Sequence, residues 1–129
     1  MSFTVKASQI PKAGMGLYTD DPVDEGQLII EYTGEITTWA SVKDDWKNVY
    51  IYYIDENHVI NAKNNPEVYA RYANDAEGLT HVKSLSNNSE FTNIEGRIFI
   101  KAMRHISAGE EILVGYGHDY WETVRTNLL

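Results

Sequence analysis

The apolar residues of this chain come in short runs, each closed within a few positions by glycine, proline, asparagine or aspartate, which leaves little room for long helices. Phe3–Ala7 alternates as a strand does, and the short piece Leu17–Tyr18 follows Gly14–Met15–Gly16. Pro22–Gly26 reads as a turn, because proline fixes one backbone dihedral and glycine accepts the left-handed region. Gln27–Tyr32, Val49–Ile54, His58–Ile60, Arg97–Lys101 and Glu111–Val114 are further strand candidates, rich in isoleucine, valine and tyrosine. Thr38–Trp46 fits either a short exposed helix or a loop. Asn65–Pro66 supplies an N-cap followed by proline at the first helical position, which predicts a short helix through Ala73. The expected fold is therefore mostly β, with short, strongly curved sheets and little helix.

Composition narrows the function. The chain of 129 residues suits one domain over 1–129, with Tyr120–Trp121 opening a C-terminal aromatic cap or arm. Its net charge of -8 disfavours nonspecific attachment to nucleic acid or an anionic membrane and favours a basic partner. Solubility alone also accounts for acidity. With no cysteine, disulfides, thiolate zinc sites and a cysteine nucleophile are excluded. The first residues lack the apolar stretch of a signal peptide, and no run approaches the roughly 20 residues that span a bilayer. His58, His81, His105 and His118 are dispersed and form no metal-ligand pattern, so no metal is expected.

Three segments carry possible chemistry. Gly14–Met15–Gly16, with Tyr32–Thr33–Gly34, allows close backbone approach to a small cofactor, although taken alone a plain tight turn is the simpler reading. It satisfies neither the dinucleotide nor the P-loop glycine pattern. Arg71–Tyr72–Ala73–Asn74–Asp75 ends the expected helix, where Asn74 offers a donor and an acceptor; helix termination is the simpler reading. Ile112–Gly117 sets Tyr116 between two glycines after an apolar run, exposed for a ligand or merely at the edge of the core.

Taken together, Met15–Leu17, EYTGE at Glu31–Glu35, RYAND at Arg71–Asp75, NNSEF at Asn87–Phe91, GRIFIKA at Gly96–Ala102 and AGEEILVGYG at Ala108–Gly117 resemble the SET-domain protein lysine methyltransferases in content and order. In form, the chain looks like the small stand-alone viral members. The resemblance implies a SET domain with a knot-like C-terminal threading, a pseudoknot, near the site. It implies S-adenosylmethionine as cofactor and S-adenosylhomocysteine as product. Lys12, Gly14, Met15 and Gly16 would cradle the cofactor, with Tyr32, Arg71, Tyr72 and Asp75 around it. Asn74 matches the asparagine at the cofactor's amino-acid end, and Arg71 organises that turn. Tyr116 matches the principal catalytic tyrosine, Tyr50 an aromatic near the lysine channel, and Trp121 the aromatic cover.

The family pattern is departed from at three positions. Asp75 stands where most members have histidine, Gly115 where an acidic residue is common, and Val114 where Phe or Tyr is frequent; the smaller valine leaves room for a more methylated lysine. The implied substrate is a lysine in a basic segment, foremost a histone H3 tail, with a nonhistone protein or a catalytically weak peptide-binding module as alternatives. No nucleic acid or membrane is required, and a second copy of the chain could complete the cover. A histone substrate implies the nucleus, or a host nucleus; another substrate leaves the cytoplasm.

Overall fold

The computed structural model describes residues 1–11, 13–45, 50–77 and 84–116. Its elements in chain order are β1 (Phe3–Ala7), β2 (Met15–Thr19), β3 (Leu28–Tyr32), β4 (Glu35–Thr37), α1 (Trp39–Val42), β5 (Ile51–Asp55), β6 (His58–Asn61), a 3₁₀ turn at Tyr69–Tyr72, β7 (Ser89–Ile94) and β8 (Arg97–Ala102). Mostly β with little helix is thus what the sequence led one to expect.

Strongly curved sheets and a C-terminal pseudoknot are not what is found. The strands form three separate open sheets: β1 with β2, β3-β8-β7, and β4-β6-β5, each of two or three strands. No pseudoknot is seen among the described residues. The physical reason for the small sheets lies in the turns. Turns at Gly26 and Gly96, both at positive φ, keep the strands short, and sheets of two or three such strands are too narrow to curl and close. Glu111–Val114, expected as a strand, makes isolated bridges in place of a ladder, Tyr18 to Glu111, Asn74 to Leu113 and Ser89 to Val114.

All the ladders are antiparallel. The Glu95–Gly96 turn, both residues at positive φ, sets the register of β7 on β8, with Ile94 opposite Arg97. The expected helix over 66–73 shrinks to the 3₁₀ turn. Val68 is extended at its start and no side chain caps it, while Asn65 turns its amide to Glu67 instead. Leu17, Ile98, Ile100, Ile112 and Val114, from different parts of the chain, are fully buried in one core that joins the sheets. The segments carrying Met15, Asn74 and Tyr116 meet beside it.

Candidate active site

Gly14 takes φ 76°, and nothing lies within 4 Å of the place its side chain would occupy. The turn is closed by the Ser8 N–H on the Gly14 carbonyl at 2.8 Å. Gly16 is required for a different reason. A Cβ there would sit 2.3 Å from Glu111 Oε2, so the strand passes directly over a buried carboxylate. That carboxylate accepts hydrogen bonds from Ser8 Oγ at 2.6 Å and the Gln9 N–H at 2.9 Å. Tyr18 donates its hydroxyl to the Ala7 carbonyl at 2.7 Å; burial first, and then the charge of Glu111, raise its pKa. Glu111 therefore ties the residues before the glycine turn to the C-terminal segment.

Asn74 stands half-buried at the centre. Its Nδ2 donates to the Met15 carbonyl at 2.9 Å, and its own carbonyl accepts the Val114 N–H at 2.8 Å. Tyr116 follows: its hydroxyl donates to the Ala73 carbonyl at 2.5 Å, and its N–H to Asp75 Oδ2 at 2.9 Å. Met15, Gly16, Asn74, Asp75 and Tyr116, distant in sequence, thus converge.

An aromatic row continues from Tyr116. Its ring stacks on Phe91 at 6.3 Å, Phe91 meets Tyr52 edge-on at 4.9 Å, and Tyr32 lies 6.0 Å from Phe91. Burial raises the pKa of Tyr52, as expected in a medium that disfavours charge. Tyr32 also donates its hydroxyl to the Tyr50 carbonyl at 2.9 Å. The Tyr50 ring lies under the Arg71 guanidinium at 4.4 Å, with the Tyr72 ring 4.9 Å from the same group. Arg71 donates to the carbonyls of Ala62 and Lys63, both at 2.9 Å, anchoring the turn before Asn74.

Lys12 and Trp121, like the rest of the Tyr120–Trp121 cap, lie outside the described residues. Tyr52, Phe91 and Glu111 were not singled out by the sequence reading. Tyr52 repeats the Tyr50 position two residues on, which in a strand puts both on one face, and that spacing could have flagged it.

The donor set can be tested against the implied cofactor. A glycine turn opening on free space, an asparagine whose Oδ1 has no partner among the described residues, and nearby aromatic rings suit a zwitterionic amino-acid end and a flat base. Among the described residues no cluster of His, Cys, Asp or Glu could hold a metal ion, and no helix is long and apolar enough to cross a membrane.

The fold and this convergence are those of a SET domain. The SET domain model matches residues 14–117, and the chain belongs to that family. It is 28% identical over 126 residues to histone-lysine N-methyltransferase EZH2 of Chaetomium thermophilum, covering 88% of this chain and 8% of that protein. It is 32% identical over 111 residues to the H3 lysine-4 specific histone-lysine N-methyltransferase of Candida albicans, covering 78% of this chain and 10% of the other. Among solved structures, the methyltransferase domain of human PR domain-containing protein 2 superposes with a TM-score of 0.63 at 26% identity, over 90% of this chain and 77% of that domain. The chain therefore spans about a tenth of the length of these two curated relatives. These fungal and human proteins lend no support to the likeness with small viral members.

Proposed function

We propose that the protein is an S-adenosylmethionine-dependent protein-lysine N-methyltransferase acting on a basic segment, foremost a histone H3 tail. The observation that carries the reading is the convergence at Asn74, which holds the Met15 carbonyl on one side and the segment leading to Tyr116 on the other. The names of the two fungal relatives, both histone-lysine N-methyltransferases, favour the histone tail as substrate class. The net charge of -8 attracts a basic tail of either origin.

In this reading Gly14, Met15, Gly16 and Asn74 hold the cofactor, which when bound supplies an electrophilic methyl group on a sulfonium sulfur. Lys12 and Trp121 belong to the same proposal as further cofactor contacts. The chain's own residues do the rest. A lysine amine attacks only when neutral, yet its ordinary pKa is about 10.4. The Tyr52–Phe91–Tyr116 row disfavours charge, as the raised pKa of Tyr52 indicates, and so promotes proton loss from an ammonium beside it. Tyr116, its hydroxyl fixed by the Ala73 carbonyl, orients the amine. Asp75, Arg71 and Tyr72 keep that frame in shape, and Tyr50 packs beside the channel.

The test is incubation of the purified protein with methyl-labelled S-adenosylmethionine and core histones, with Tyr116→Phe alongside and label mapped by mass spectrometry. Lysine labelling that falls at least tenfold in the variant is the expected result. A folded protein that binds S-adenosylhomocysteine but labels no histone would move the substrate to another protein. Failure to bind the cofactor at all would favour the peptide-binding module. Light scattering on the same sample reads whether a second copy covers the site.

A further inference from the structure

Asp75 follows Asn74 directly, and its surroundings give it a role of its own. The side chain is buried, 8% exposed, and its two oxygens face different parts of the site. Oδ2 accepts the Tyr116 N–H at 2.9 Å. Oδ1 accepts the Glu77 N–H at 2.8 Å and Asn87 Nδ2 at 2.9 Å. Asn87 closes the loop by accepting the Ala76 N–H on its Oδ1 at 2.8 Å. Tyr116 is thus held at both ends by one short segment, its hydroxyl on Ala73 and its N–H on Asp75.

We propose that Asp75 is a positioning residue, which sets the aim of the Tyr116 hydroxyl by clamping the Tyr116 main chain rather than by touching cofactor or substrate. A carboxylate suits the task because it only accepts, and three N–H donors converge on it. An amide of the same shape must turn its own NH₂ toward one of those donors. Asn87 already fixes the Oδ1 side together with Glu77, so the mismatch falls on Tyr116. Gly115, immediately before Tyr116, carries no side chain to brace the segment in place of the clamp. The inference rests on the reading that Tyr116 orients the lysine amine, but the clamp itself can be tested without transfer.

The experiment uses the intact chain, with Asp75→Asn as the variant and Asn87→Ala as the control. In the two-dimensional ¹⁵N–¹H spectrum the Tyr116 amide is expected to move in Asp75→Asn, with the core amides of Ile98 and Ile100 unchanged. Asn87→Ala, which leaves the Asp75 carboxylate and its Oδ2 bond to Tyr116 in place, should move the Tyr116 amide less than Asp75→Asn does. In the transfer assay Asp75→Asn should lower kcat roughly ten- to a hundredfold, with KM for both substrates within about twofold. In a Tyr116→Phe background the same substitution should cost less than about threefold, since the hydroxyl being aimed is gone. Equal losses in both backgrounds, an unmoved Tyr116 amide, or a KM effect on the cofactor alone would overturn the proposal. Should Asp75→Asn not fold, hydrogen exchange on the unaltered protein decides: a protected Tyr116 amide supports the clamp, and exchange at an exposed-loop rate refutes it. A moved or protected amide in a protein that transfers no methyl would sink the proposed function and leave the clamp standing.

Discussion

Glu111 and Gly16 offer the most demanding check on the site's construction, because each explains the other. Replacing Glu111 by alanine strands the Ser8 hydroxyl and the Gln9 N–H, both of which now end on its carboxylate. Tyr18 keeps the Ala7 carbonyl and loses little. A donor left without its partner costs about 1–3 kcal/mol where water is excluded; Ser8 is half-buried and Gln9 exposed, so the loss should be about 1–2 kcal/mol after relief of the carboxylate's own burial. Glu111→Gln should cost only about 1 kcal/mol, since its oxygen can serve Gln9 while its NH₂ donates to the Ser8 hydroxyl. Gly16→Ala pushes a methyl group into the carboxylate, at a cost of about 1–3 kcal/mol typical of overpacking. In the Glu111→Ala background that methyl meets only the Ser8 Cα, at 3.2 Å, and its cost should fall to about 1 kcal/mol or less. Urea unfolding followed by circular dichroism measures all four proteins of the cycle. Equal costs of Gly16→Ala in the two backgrounds would refute the packing argument. So would a Glu111→Ala protein within about 0.5 kcal/mol of the parent.

Three further outcomes are expected. Asn74→Ala removes the tie to the Met15 carbonyl and should weaken S-adenosylhomocysteine binding roughly tenfold, the net worth of one hydrogen bond, as read by calorimetry. Tyr18 and Tyr52 both have folded-state pKa values above the ordinary 10.0, so the folded protein keeps those protons longer than the unfolded chain. Their contribution is intact below pH 10.0 and is lost as pH rises through the folded values; tyrosinate absorbance against unfolding free energy tests it, and Glu111→Gln should bring Tyr18 down. Gly34→Ala would set a Cβ 2.7 Å from the Asn61 carbonyl oxygen, where only backbone movement relieves the clash; a loss of about 1–3 kcal/mol in urea unfolding is expected, and an unchanged midpoint would contradict the close approach.

How much of this was legible in the sequence depended on distance along the chain. β1, β3, β5, β6 and β8 were readable because β-branched and aromatic residues recur between turns, a local signal. The Asn65–Pro66 start was a true local helix signal, defeated by an extended Val68 two residues later. Ile112–Val114 looks like a strand for the same reason as β8, but its partners, Asn74 and Ser89, come from separate places and give it bridges in place of a ladder. The division into three open sheets follows from such long-range pairings, which no local pattern encodes. At the site, glycines, Asn74 and Tyr116 were visible as motifs. Glu111 and Phe91 were not, because their roles are set by Ser8, Gly16 and Tyr116, which lie far from them in the chain.

The tie between Ser8 and Glu111 has a consequence for how the protein comes into being. Leu28 finds its neighbour only when Lys101 exists, and the first turn after β1 finds its anchor only when Glu111 does. As the chain leaves a ribosome, β1 can pair with β2 and β5 with β6 at once, but β3 has no partner until β8 emerges and the turn after β1 has no anchor until Glu111 does. Such high contact order slows folding and lengthens exposure of strand edges. The local hairpins come first, and the candidate site and the complete core arrive together.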